Sequence, residues 1–209
     1  MAQDVFFSDL GTGSNVYQCC TGWTVGGSQT LGNFLVAANE FTAGATGSIS
    51  QIDIGIGYVT GENSFIATLW TANGNQPGTE IAEFDNLSSS TNFGSCCGLV
   101  SITGISGVSL TAGTSYFLTL GPTNLSGTTW EAWNLNSQNV NGLDLYATSG
   151  CTSGNGSGCS WNSNGTGNPL GAFDVLGSSG QTVPEPSSLL LLGTGLVGAF
   201  GSIRRKLMK

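Results

Sequence analysis

Basic side chains are almost absent from this sequence. The 209-residue chain has no histidine and only four lysine and arginine residues, all of them in its last six positions. Residues 1–203 therefore have nothing to neutralise phosphates, which argues against nucleic-acid binding. Catalysis by a histidine base, a lysine Schiff base or a serine–histidine triad is excluded for the same reason.

Charged residues of either sign are also rare. They make up 8% of the chain, about a third of the usual share, and the formal net charge is -8. Glycine is abundant at 34 residues, while the five prolines are too few for collagen or polyproline structure. Surface polarity must come from hydroxyl and amide groups, as in many exported β-rich proteins. The length suits one domain with an appendage.

Alternating apolar residues predict β-strands. Between 51 and 59, Ile52, Ile54 and Ile56 alternate with polar residues or glycine, which is the period of a half-buried strand. A turn-like segment separates this run from a second one at 65–71, so the two predict an antiparallel hairpin. Further strands are predicted at 5–8, 23–25, 35–41, 80–84, 99–102, 115–120, 129–135, 143–147 and 172–176.

The whole pattern predicts an all-β domain over residues 1–180. No convincing helical pattern precedes residue 187, and short strands separated by Gly, Asn and Ser turns favour two packed antiparallel sheets. We therefore expect a β-sandwich or jelly-roll-like fold. The segment 149–170 is nearly all Gly, Ser, Asn and Thr, and it is predicted to form a long loop.

The composition changes in the last part of the chain, residues 181–209. Pro184, Glu185 and Pro186 predict an extended segment, because proline fixes its own backbone and disfavours helix at the preceding residue. The uncharged, largely apolar residues 187–203 would form a helix of about 25 Å, enough for a short transmembrane span. The basic tail 204–209 would stay cytoplasmic and leave the preceding domain outside. A buried core helix is the alternative.

These features together resemble a known sorting signal. The residues that carry the resemblance are Val183, Pro184, Glu185 and Pro186 before the apolar segment and Arg204, Arg205 and Lys206 after it. In this order they resemble the PEP-CTERM sorting signal of Gram-negative bacteria, a tail also named after ice-binding proteins. The resemblance implies an exported precursor that is held in the inner membrane and cleaved near the motif by an exosortase, a membrane protease. It also implies an N-terminal leader, which residues 1–4 do not resemble, so we expect that a leader has been removed.

Six cysteines in an exported chain predict disulfide bonds. They are Cys19, Cys20, Cys96, Cys97, Cys151 and Cys159. Six cysteines allow fifteen full pairings, and the sequence alone does not choose among them. We expect Cys151 to pair with Cys159 across a polar loop, and one vicinal doublet to pair with the other. Vicinal bridges and links to other molecules are the alternatives, and no zinc-binding spacing is present.

A group of two tryptophans and a glutamate lies on the strand predicted at 129–135. Glu131 is expected to share one face with Trp133, whereas Trp130 points to the opposite face. An aromatic ring beside a carboxylate is suited to stack on a sugar and bind its hydroxyls, so Trp130, Glu131 and Trp133 are candidate glycan contacts. The alternative is that one tryptophan belongs to the core and the other fills a gap under a loop.

No catalytic or metal site stands out in the sequence. Glycoside hydrolysis requires two carboxylates close together in space. Five carboxylates could converge in the fold, but nothing in the sequence singles out a pair. They are Glu80, Glu83, Asp85, Glu131 and Asp144. No Asp-x-Asp-x-Asp loop for calcium is present, so we predict no catalytic residue, no metal and no cofactor.

The sequence therefore predicts a non-enzymatic cell-surface or extracellular-matrix protein. Its expected partners are an exosortase, the inner membrane and an exopolysaccharide of a biofilm, and not nucleic acid. The protein would begin as a membrane-anchored precursor and end in the cell envelope or outside the cell. A carbohydrate-binding module is the first alternative. An ice-binding surface is more remote, because regular Thr-x-Thr ladders are not evident.

Overall fold

The computed structural model describes residues 3–180, and their regular structure is almost entirely β-strand. The elements are β1 (Asp4–Ser8), β2 (Tyr17–Gly26), α1 (Ser28–Leu31), β3 (Val36–Thr42), β4 (Gly47–Ile54), β5 (Ile56–Thr60), β6 (Phe65–Ala72), β7 (Pro77–Leu87), β8 (Val100–Thr103), β9 (Ser109–Leu110), β10 (Ser115–Pro122), β11 (Trp130–Asn136), β12 (Asn141–Ala147), β13 (Asn162–Pro169) and β14 (Phe173–Ser179). Side chains of successive strand residues point to opposite faces, so the alternating apolar pattern gives most of these strands a buried face.

The strands form three antiparallel sheets. Sheet I has the order β1-β14-β4-β8, with β9 also paired to β4. Sheet II has the order β13-β12-β3-β10-β6-β7, and sheet III has the order β2-β11-β5. The antiparallel all-β class predicted from the sequence is therefore confirmed. The described residues form three sheets where the sequence predicted two.

One large apolar cluster collects buried side chains from all three sheets. Sheet I contributes Ile52 and Phe173, sheet II contributes Phe41 and Leu118, and sheet III contributes Trp133. The ring of Phe173 meets those of Trp133 and Phe41 at centroid distances of 5.7 and 5.4 Å. Because residues 1–203 contain no basic side chain for a salt bridge, apolar burial of this kind is the main source of the domain's stability.

A smaller apolar cluster lies on the other face of sheet II. Its residues alternate with those of the large cluster along the strands, as Phe117 does with Leu118. Trp161 packs against it, and the hydroxyl of Thr119 donates a 2.8 Å hydrogen bond to the backbone oxygen of Asn155. Both faces of sheet II are therefore covered, the second one by the chain between β12 and β13.

The apolar run at 51–59 is not a single strand. β4 ends in sheet I and β5 begins in sheet III, with Gly55 between them. The N–H of Gly55 donates to the oxygen of Ala172 at 2.9 Å, and its oxygen accepts from the N–H of Asn134 at 2.8 Å. The predicted hairpin of 51–59 with 65–71 is wrong, because β5 pairs with β11 whereas β6 pairs with β7 and β10. The apolar alternation continues across Gly55 because the two sheets bury Ile52, Ile54 and Ile56 in the same core.

The prediction of a long loop at 149–170 is wrong for its second half. Residues Asn162–Pro169 form β13, which pairs with β12 at the edge of sheet II. The ladder is made by backbone groups, so a strand of Gly, Asn, Ser and Thr can join it without an apolar side chain to bury. The first half of the segment lacks regular structure, as predicted.

The sorting motif at 183–186 and the membrane helix predicted at 187–203 lie outside the described residues. Within residues 3–180, no helix has the length and apolar character that a membrane crossing requires. The domain boundaries predicted from the sequence stay a prediction.

Candidate functional site

The predicted glycan contacts on β11 differ sharply in accessibility. Trp133 is 0% exposed, and its indole N–H donates to the backbone oxygen of Ala172 at 3.2 Å. Trp130 is half-buried at the start of the strand. Trp133 is therefore a core residue and cannot contact a glycan on the surface. The prediction that it contacts a glycan is wrong, and the alternative that one tryptophan belongs to the core describes it correctly.

Glu131 belongs to the interior as well. It is 0% exposed, and neither carboxylate oxygen has a hydrogen-bond partner among the described residues. Burial raises the pKa of Glu131 to about 8, so the carboxyl group is mostly protonated at neutral pH. The prediction that Glu131 contacts a glycan is thus wrong, because a sugar has no access to it.

A different set of side chains meets in a cavity of about 190 Å³ between sheets II and III. It lies between β2 on one side and β12 and β13 on the other. The lining residues are Trp23, Thr24, Leu35, Ala37, Asp144, Leu145, Tyr146 and Asn164. This group, which we call the intersheet cavity, combines two aromatic residues, a carboxylate and an amide with an apolar wall. It is the candidate functional site of the described domain.

Strand pairing brings the polar groups of the intersheet cavity together. β12 pairs with β3, which places Asp144 opposite Asn39, and with β13, which places Asn164 next to the same strand. The amide of Asn39 donates to Oδ1 of Asp144 at 2.8 Å, and the amide of Asn164 donates to Oδ2. Asn39 is held in turn by the N–H of Gly171, which donates to its Oδ1 at 2.6 Å. Two amides therefore fix the orientation of the carboxylate.

Asp144 is an unusual residue electrostatically. Its side chain is 1% exposed, and burial raises its pKa to about 6, although the hydrogen bonds from Asn164 and Asn39 act in the opposite direction. The described residues contain no lysine, arginine or histidine that could pair with it. Each carboxylate oxygen accepts one hydrogen bond and can accept a second. The carboxylate is thus oriented by two amides, ionised in most molecules at neutral pH and almost fully shielded from solvent.

The aromatic side of the cavity comes from strands that are distant in sequence. Trp23 lies opposite Trp133 in the β2–β11 register, and its indole N–H donates to the backbone oxygen of Pro169 at 3.0 Å. Tyr146 follows Asp144 by two residues and therefore lies on the same face of β12. Its hydroxyl has no hydrogen-bond partner among the described residues, and neither has Oδ1 of Asn164. Sequence reasoning missed this group because no local motif joins residues 23, 144, 146 and 164.

The cysteines form two disulfides in the described residues. Cys151 pairs with Cys159, as the sequence predicts, and Cys19 pairs with Cys96, one member of each vicinal doublet. Cys20 is an exposed free thiol, and Cys97 is a half-buried one. The sulfur of Cys97 lies within 4.8 Å of the sulfurs of Cys19 and Cys96. Since two of these three sulfurs are bonded to each other, they do not offer three thiolates to a metal.

The carboxylates considered for glycoside hydrolysis are spread over the domain. Glu80 and Glu83 share one hydrogen-bond donor. The side-chain amide of Asn155 donates to the carboxylate of Glu80 at 3.3 Å and to that of Glu83 at 2.5 Å. Burial, and secondly the charge of Glu83, raise the pKa of Glu80. Glu131 lies in the core and Asp144 in the intersheet cavity, so the structure does not bring the predicted five into one site.

Comparison with known families identifies the C-terminal segment. The model of the PEP-CTERM protein-sorting motif matches residues 182–206, which include Pro184, Glu185 and Pro186 as well as Arg204 and Lys206. The chain therefore consists of an antiparallel β domain followed by a PEP-CTERM sorting motif, as the resemblance implied. The motif indicates an exported protein that an exosortase processes. No curated protein and no solved structure matches the chain.

Proposed function

We propose that this protein is a non-enzymatic component of the cell surface or extracellular matrix that an exosortase cleaves at its C-terminal motif. The observation that carries the proposal is the sorting motif matched at residues 182–206. Before cleavage the precursor is anchored in the inner membrane through residues 187–203. After cleavage the β domain passes to the cell envelope or to an exopolysaccharide matrix.

The chemistry of the tail supports this order of events. Proline disfavours helix at the residue before it, so the sequence Pro184-Glu185-Pro186 favours an extended backbone, the form in which a protease cleft binds a peptide. The following seventeen residues, 187–203, carry no charge, and Arg204 begins the basic segment that would stay on the cytoplasmic side. The scissile region would then lie just outside the membrane.

The β domain supports a role outside the cytoplasm. Disulfides such as Cys19–Cys96 persist in oxidising compartments. The domain has no histidine or lysine for general-base or covalent catalysis, and its candidate carboxylates are dispersed. We therefore propose a binding or structural role and not an enzymatic one.

The sorting step is tested in the producing cell with the full-length precursor. Glu185→Ala changes the centre of the motif without altering the apolar segment, so the uncleaved precursor should accumulate in the inner-membrane fraction. Glu62→Ala, an exposed position in the β domain, is the matched control and should be processed normally. Intact-mass analysis of each fraction reads the C-terminus directly. Normal processing of the Glu185 variant, or wild-type protein that keeps Lys209 outside the cell, would refute the proposal.

A further inference from the structure

We propose that the intersheet cavity binds one ring of a neutral sugar, with Asn164 and Tyr146 contacting its hydroxyls, Asp144 holding Asn164 in position, and Trp23 contacting its apolar face. The site deepens the proposed association with a polysaccharide matrix, and its biological use rests on that proposal. Binding itself does not depend on the sorting motif, so the two can fail separately.

The polar groups of the cavity are suited to hydroxyls. Oδ1 of Asn164 offers only acceptor capacity, whereas the hydroxyl of Tyr146 both donates and accepts. Neither atom has a hydrogen-bond partner among the described residues, and the amide nitrogen of Asn164 is held by Asp144. A ligand that satisfies both atoms must donate and accept, which a sugar hydroxyl does and an ammonium group does not.

The rest of the cavity is apolar and aromatic. Leu35 and Ala37 line the cavity together with Trp23. The faces of a sugar ring carry C–H groups, which pack on aromatic and aliphatic surfaces, while its rim carries hydroxyls. A pocket that is mostly apolar and has a few oriented polar groups is the usual form of a small-ligand site. The same arrangement would leave a fully polar ligand poorly packed.

The volume of the cavity and the charge of the protein restrict the class of ligand further. The cavity volume of about 190 Å³ is below the range typical of drug-sized ligands, roughly 300–1,000 Å³, so a single ring is the largest unit it holds. Acidic sugars are disfavoured, because the chain has a formal charge of -8 and the cavity already contains Asp144. A neutral ring, free or at the end of a polysaccharide, fits both limits.

Binding is measured with the protein recovered from the producing cell, by calorimetry and by tryptophan fluorescence. The probes are glucose, galactose, mannose and N-acetylglucosamine, with glucuronate and choline as charged counterparts. At least one neutral sugar should bind saturably with millimolar or better affinity. Glucuronate and choline should not bind at the same concentrations.

Two variants locate the site. Tyr146→Phe removes one hydroxyl and should weaken binding about three- to tenfold, the effect of one hydrogen bond. Trp23→Phe keeps an aromatic ring but shrinks the contact and should weaken binding at least as much. Tyr58→Phe and Trp161→Phe are matched controls, since neither residue lines the cavity, and they should bind like wild type. Near-ultraviolet circular dichroism and thermal unfolding check that each variant is folded.

Three outcomes overturn the proposal. They are the absence of saturable binding by every neutral sugar, binding of choline or glucuronate in their place, and sugar binding that neither Tyr146→Phe nor Trp23→Phe changes. If sugar binding fails while the tail is processed normally, the cavity assignment is wrong and the sorting proposal stands. If processing is independent of Glu185 while sugar binds, the sorting proposal is wrong and the cavity assignment stands.

Discussion

The side-chain amide of Asn39 donates a 2.8 Å hydrogen bond to the carboxylate of Asp144. The two residues are register partners on β3 and β12, and they are 0% and 1% exposed. Asn39 also accepts from the N–H of Gly171, so one amide joins the carboxylate to the chain that precedes β14. This polar connection lies inside a domain that otherwise depends on apolar packing.

Asn39→Ala should destabilise the protein more at pH 8 than at pH 4.5. The pKa of Asp144 is about 6, so the group is ionised at pH 8 and protonated at pH 4.5 in the folded state. The amide of Asn39 lowers that pKa by stabilising the ionised carboxylate of Asp144. Its removal therefore costs more stability when Asp144 is ionised. We expect about 1–3 kcal/mol of lost unfolding free energy at pH 8, measured by urea denaturation. Asn92→Ala, at an exposed position, is the control, and equal losses at both pH values would contradict the expectation.

Glu131→Gln should stabilise the protein at high pH. Burial raises the pKa of Glu131 to about 8, so between its ordinary value of 4.5 and about 8 the folded state holds a proton that the unfolded state releases. Stability therefore falls as pH rises through this window. The glutamine variant lacks this fall and should exceed wild type by on the order of a few kcal/mol at pH 9. Urea denaturation at pH 5 and pH 9 measures it.

The control for this prediction is Glu62→Gln, which removes a charge at an exposed site. It tests whether the gain at pH 9 comes from the lower net charge alone. If Glu131→Gln and Glu62→Gln change the pH dependence equally, the burial of Glu131 is not its cause.

The two disulfides should contribute unequally to stability. Cys19–Cys96 closes a loop with a sequence separation of 77, and Cys151–Cys159 one of 8. Loop-closure entropy predicts about 4–5 kcal/mol for the first and about 2–3 kcal/mol for the second. The measurement is urea denaturation of each paired Cys→Ser variant in a background where Cys20 and Cys97 are also serine. This background prevents a free thiol from replacing a lost partner, and a larger loss for the short loop would contradict the prediction.

Gly171→Ala should destabilise the domain through Trp133. A Cβ atom at position 171 would overlap the indole ring, which is fully buried and has no room to move. Overpacking of this kind costs about 1–3 kcal/mol, and the fluorescence of Trp133 should change with it. Gly167→Ala is the matched control, because no atom lies within 4 Å of a Cβ there. A Gly171 variant as stable as the Gly167 variant would show that the core adapts.

Local patterns predicted most of the secondary structure. The short apolar runs around residues 115–120 and 143–147 marked β10 and β12, since such runs are visible within a few residues. The same signal did not reveal that Gly55 passes the chain from sheet I to sheet III, because both sheets bury the same face. β13 was missed for a different reason: its stability comes from backbone pairing with β12, and its side chains carry no apolar signal.

The sequence by itself determined the antiparallel β class and the PEP-CTERM motif and favoured the Cys151–Cys159 bridge, because each is written in residues that are close together in the chain. Only the tertiary structure decided which aromatic and acidic side chains are accessible. Trp133 and Glu131 lie two residues apart in sequence and are both enclosed by the core, whereas Trp23, Tyr146 and Asn164 come together through the packing of sheet III on the β12–β13 edge. Such long-range packing depends on the fold of the whole domain, and no short stretch of sequence records it.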